Sequence, residues 1–160
     1  MNSFFRDPIN FLLNRPHAEL RQTTTQSFVT GTNTAVQFNA EDVDTDVDGV
    51  GGHDNVTNNT RYTARYPGWY LISGVIEFNA NATGTRFAWL AVNGTDVNGS
   101  VGRGIADAAG SSVTPSRPKL IFLNVGDYVE LIGFQTSGGA LGTVVSARDQ
   151  SSMSVLWMSN

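Results

Sequence analysis

From Gly31 to the C-terminus the chain is punctuated by turn signals at Gly31, Pro67 with Gly68, Gly84, Asn93 with Gly94, Asn98 with Gly99, Gly126, and Gly138 with Gly139. No helical periodicity long enough for a crossover connection lies between them, which leaves strands as the main building element. The clearest strand follows Pro67. Proline presets φ for a turn, Gly68 supplies a permissive next position, and Tyr70, Ile72, Ile76 and Phe78 then fall on one face of a period-two pattern. Candidate strands are Gln26–Thr30, Thr34–Asn39, Arg61–Tyr66, Trp69–Phe78, Thr85–Asn93, Ser100–Ile105, Lys119–Leu123, Tyr128–Gln135, Leu141–Ala147 and Met153–Met158. About ten short strands at this spacing predict an all-β sandwich or barrel.

Residues 1–25 differ from the rest. Phe4, Phe5, Ile9, Phe11, Leu12 and Leu13 crowd together, Asp7 is placed to cap a short helix beginning at Pro8, and Asn14, Arg15 and Pro16 end it. A helix of about two turns does not persist alone in water, so these side chains need a surface to dock on, in their own domain or in a partner subunit. The expected organisation is a docking arm over 1–25 and a β domain over 26–160.

Several strands carry apolar residues on both faces. Phe87, Trp89 and Ala91 alternate with Ala88, Leu90 and Val92, and Met153, Val155 and Trp157 alternate with Leu156 and Met158. A two-layer sandwich buries one face of each sheet, so a second apolar face calls for another cover, such as a second copy of the chain. Phe87, Trp89, Val155 and Trp157 are the candidate interface residues.

Composition removes several function classes. With no cysteine there is neither a disulfide framework nor a thiolate site, and stability rests on packing and association. A net charge of −4, with ten Lys and Arg scattered along the chain, argues against nucleic acid as a partner. No segment approaches the roughly 18 continuous apolar residues of a membrane span, and the first ten residues lack the pattern of a secretory signal, so a soluble protein made in a cytoplasm is expected. His17 and His53, without a Gly-x-Ser-x-Gly elbow, give no hydrolase signal, and Gly102-Arg103-Gly104 is too small for a dinucleotide fingerprint. No enzyme activity and no cofactor are expected.

One segment resembles a calcium loop. Asp44, Asp46 and Asp48 alternate ahead of Gly49, a spacing that lets side chains converge on a hard cation, but the twelfth loop position is Asn55 and no helices flank it. Calcium at these three carboxylates is one reading and a solvated acidic turn the other. His53 and Asp54 fit side-chain hydrogen bonding that holds a turn.

The Gly68-Trp69-Tyr70 step, the Gly126-Asp127 step and the apolar last strand, in that order and spacing, resemble the jelly-roll domain shared by the globular head of complement component 1, subcomponent q, and tumour necrosis factor. The resemblance covers residues 26 to 159 and implies a jelly-roll sandwich that packs as a homotrimer through aromatic-rich strands. Asn14-Arg15-Pro16, Leu20-Arg21-Gln22-Thr23, Gly84-Thr85-Arg86 and Asn93-Gly94 are similar to segments in small accessory proteins of tailed bacteriophages. That likeness implies a non-enzymatic virion protein, a capsid decoration or minor tail protein. Its arm would grip a capsid or tail protein, and its knob would face solvent or host-surface glycan. The alternative is a soluble lectin-like or cytokine-like module recognising carbohydrate or a receptor, in which Trp69, Trp89 or Trp157 would stack on sugar; core or interface packing is the other reading of each, and the one their aromatic bulk favours.

Overall fold

The computed structural model describes residues 9–160. Among them the strands form two six-stranded antiparallel sheets and a small ribbon. Sheet I has the order β10 (Ser112–Pro115), β6 (Gly68–Phe78), β14 (Ser152–Ser159), β1 (His17–Arg21) and β4 (Ala40–Thr45), with β11 (Lys119–Leu123) also paired to β6. Sheet II has the order β3 (Thr34–Ala35), β12 (Tyr128–Gln135), β7 (Arg86–Val92) and β8 (Thr95–Asp96), with β5 (Arg61–Thr63) on β12 and β9 (Gly102–Gly104) on β7. The ribbon joins β2 (Ser27–Phe28) to β13 (Leu141–Gly142). Residues 9–13 form a short helical turn ahead of β1. This is a jelly-roll β-sandwich with a helical lead-in, the fold class expected from the turn spacing.

The core lies between the sheets. Tyr70, Ile72, Ile76 and Phe78 of β6 point inward, as the period-two pattern requires, and meet Leu90, Val129 and Leu131 from sheet II, all fully buried. Burying each such side chain contributes about 1.5–3 kcal/mol before ordering costs. Phe28 packs edge-on to Phe78 with ring centroids 5.1 Å apart, closing one end. Arg86 is also fully buried. Its guanidinium donates to the carbonyls of Thr83, Thr85 and Asn81 and lies over the Phe78 ring, fixing the loop before β7 with no carboxylate partner among the described residues.

The sandwich contains strands outside the expected set. β1 runs between β14 and β4 and puts Ala18 and Leu20 into the core, so sheet I starts at His17, inside the segment expected to be an arm. β4 carries Glu41, Asp42 and Asp44, residue types disfavoured in strands, and only its pairing to β1 reveals it. β8 completes a two-residue hairpin with β7. Asn93 and Gly94 both have positive φ (50° and 76°), the conformation such a turn demands and the one the Asn-Gly pair anticipates.

Candidate functional site

The outward face of sheet I is apolar where β11, β6 and β14 run side by side. Antiparallel register places Leu120 and Leu156 on either side of Leu71, and Phe122 beside Trp69. The Trp69 and Phe122 rings meet edge to face at 5.6 Å. Trp69, Leu71, Phe122 and Met158 remain 40–44% exposed and Leu120 56%, a contiguous patch rather than scattered residues. Ser73, Ser154, Glu19 and His17 bound it along the neighbouring positions, giving an apolar centre with a polar rim.

Alternation along β14 decides which of its apolar residues belong to this face. Val155 and Trp157 point into the core, almost fully buried, and the outward pair is Leu156 and Met158. The expectation that Val155 and Trp157 serve an interface is therefore corrected by one position of the pleat. The reason is packing: Val155 lies opposite Ala18 and Ile72, which themselves face inward, and the Trp157 indole N–H donates to the Pro67 carbonyl at 3.1 Å.

Phe87 and Trp89 do face outward, on sheet II. They lie opposite Phe134 and Ile132 of β12, and Arg103 reaches over the Phe87 ring at 5.1 Å. Both aromatic side chains are partly covered by these neighbours, less open than the sheet I patch.

The acidic segment does not converge. Asp44 lies in β4 and accepts from the backbone N–H of Gly52 at 3.0 Å and His53 at 2.7 Å. Asp46, 3% exposed, and Asp48 turn instead toward Arg65, which donates to Asp46 at 2.8 Å and grips Asp48 with both terminal nitrogens at 2.7 and 2.8 Å. Each also accepts a backbone N–H two residues on, from Asp48 and Val50 respectively, closing successive tight turns. Among the described residues no three acidic or histidine side chains gather around one point. The resemblance to a calcium loop fails because the counter-charge arrives from Arg65, just beyond β5. His53 bridges the same region, its two ring nitrogens facing the Arg61 and Phe38 carbonyls at 2.8 and 3.1 Å. A recess of about 330 Å³ opens beside it, lined by His53, Asp54, Asn58, Arg61, Thr63 and Arg65 among others.

The electrostatics of this cluster give a testable pH dependence. Arg65 holds the Asp48 carboxyl well below the ordinary range, while burial pushes Asp44 and Asp46 upward. Arg65→Met should lower the thermal midpoint by about 5 °C at pH 7, because Asp46 keeps its buried charge and loses its partner. The Asp48 contribution is complete above an unfolded carboxyl value of about 3.9 and disappears as pH falls through the depressed folded value. The gap between variant and wild type should therefore narrow below about pH 4. Equal midpoints at pH 7 would show that Arg65 does not hold the loop.

Phe4 and Phe5 lie outside the described residues. Phe11 leaves the arm and docks on the domain, edge to face against Trp157 at 4.7 Å and Tyr66 at 5.3 Å. Ile9, Leu12 and Leu13 project from the other side of the turn and are exposed. Pro16 accepts a backbone hydrogen bond from Trp157 N, so the lead-in is hooked to the last strand just before β1 begins.

No protein-family model and no curated protein matches the sequence. Solved structures do match in fold, and the matching chains include proteins of the tumour necrosis factor family. Murine APRIL at pH 5.0 superposes with a TM-score of 0.62 at 11% identity, covering 88% of this chain and 98% of that one. Eiger TNF from S. frugiperda gives a TM-score of 0.57 at 16% identity, covering 91% and 95%. At this identity the likeness is one of fold.

Proposed function

We propose that the chain is a non-enzymatic, trimeric knob of a tailed-phage virion, a capsid decoration or minor tail protein held on the particle by its N-terminal segment. The observation that carries the reading is the apolar patch of Trp69, Leu71, Leu120, Phe122, Leu156 and Met158 on the outward face of sheet I, which a second copy of the chain would cover. The arm supports the attachment role. Phe11 fixes the helical turn to the knob, and Ile9, Leu12 and Leu13 are left outward for a capsid or tail protein.

Light scattering of the intact protein should give about three times 17.2 kDa; a clean monomer would overturn the trimer. Attachment is tested by deleting residues 1–13, stopping short of Pro16 because β1 belongs to sheet I. The truncated protein should stay folded and oligomeric and fail to join the particle. Normal incorporation would remove the arm as the anchor.

A second reading, a soluble module that binds carbohydrate or a receptor, is favoured by one feature. Trp89 borders an open recess on sheet II, away from the proposed trimer patch.

A further inference from the structure

Of the three tryptophans, two are committed to packing. Trp157 is buried under Phe11, and Trp69 stacks edge to face on Phe122 within the apolar patch. Trp89 is different. It lines a recess of about 400 Å³ together with Asn33, Asp96, Val97, Asn98, Gly99 and Val101, within the range of about 300–1,000 Å³ typical of small-ligand sites. Its indole N–H donates to Asp96 Oδ1 at 2.7 Å, which fixes the ring and, among the described residues, leaves Oδ2 open as an acceptor. The loop carrying the polar groups is held from below. Buried Ser100 donates to the Val97 carbonyl at 2.7 Å and accepts the Leu90 N–H at 3.0 Å, and Val97 N–H bonds to the Leu90 carbonyl.

We propose that this recess binds one neutral pyranose residue of a glycan. A pyranose has a C–H face, which packs on an electron-rich indole, and a rim of hydroxyls that both donate and accept. Trp89 supplies the platform, Val97 and Val101 extend its apolar floor, Asp96 Oδ2 accepts from hydroxyls, and the Asn33 and Asn98 carboxamides both donate and accept. Among the described residues Asp96 is the one charged residue in the lining, which favours a neutral sugar over an acidic one. The site lies on sheet II, so a trimer closed through sheet I leaves it free.

The inference rests on the outward-facing knob but is tested apart from particle attachment, on the isolated full-length protein. The three indole N–H signals of ¹⁵N-labelled protein are followed by NMR while methyl glycosides of glucose, galactose, mannose and N-acetylglucosamine are added, with N-acetylneuraminic acid as the acidic comparison. The signal missing in Trp89→Phe should shift saturably with at least one neutral glycoside, at millimolar concentration. Asp96→Ala, an exposed change that leaves the fold intact, should weaken that binding about tenfold or more. The site is overturned if no neutral glycoside moves the Trp89 signal saturably, if Asp96→Ala binds as tightly as wild type, or if the acidic sugar is preferred.

Discussion

Leu71→Glu should convert the proposed trimer into a folded monomer. Leu71 sits at the middle of the sheet I patch, with Leu120 on one side and Leu156 on the other. In an isolated subunit it is 41% exposed, so the substitution costs the fold little. In an assembly closed over this patch, the same change places one carboxylate per subunit in a desolvated apolar centre, where an unpaired charge costs several kcal/mol and truncated contacts are lost as well. The mass in solution should fall from about three times 17.2 kDa to a single subunit, with the far-ultraviolet circular dichroism unchanged. Phe87→Glu, on the outward face of sheet II, should leave the larger mass intact. The opposite pattern, with Phe87→Glu dissociating the protein and Leu71→Glu leaving it whole, would move the interface to sheet II.

That contrast turns on a distinction the sequence carries only halfway. Alternation identifies two apolar faces on the strand from Met153 to Met158, but period two is symmetric and does not say which face is inside. The choice depends on what lies across the sandwich and beside the strand. Inward-facing Ala18 of β1 and Ile72 of β6 flank Val155, and Trp157 reaches back to Pro67. The outward row was equally legible in pieces, as Trp69 and Leu71 between the inward residues of β6, and Leu120 and Phe122 in an almost wholly apolar β11. Register alone brings those pieces together. Turn positions were read more directly because a positive φ leaves a local residue signature: Gly31, Gly84, Asn93 with Gly94, Gly99, Gly126 and Gly138 all adopt it.

Where partners come from distant strands, local patterns mislead. The carboxylates at Asp44, Asp46 and Asp48 have the spacing of a cation loop, yet Asp44 is already in a strand and Arg65 holds the other two. Nothing between Glu41 and Gly49 announces that arginine. His17–Arg21 was hidden for a related reason, since a five-residue strand with two buried apolar positions carries too little pattern to separate it from the arm before it. Its place between β14 and β4 is set by long-range pairing.

Gly68→Ala should be the most damaging single-methyl change in the chain's key strand. Gly68 opens β6 with φ of 146°, a region that side chains of L-residues rarely enter, and this alone costs about 1–3 kcal/mol. Space makes it worse. A Cβ there would sit well inside van der Waals contact of Trp157 Nε1 and 2.5 Å from the Ser159 carbonyl, so β14 or the indole must move. Displacing the indole breaks its hydrogen bond to the Pro67 carbonyl and disturbs the ring on which Phe11 rests, coupling the turn to the arm. The expected loss exceeds about 3 kcal/mol, seen as a fall of roughly 10 °C in the thermal midpoint. Gly126→Ala separates the two causes. It also has positive φ, 90°, but a Cβ there meets nothing within 4 Å, so its loss should stay near 1–2 kcal/mol. If the two variants melt together, β14 yields to the added methyl without cost, and the tight junction of Gly68, Trp157 and Phe11 is not what holds the arm to the knob.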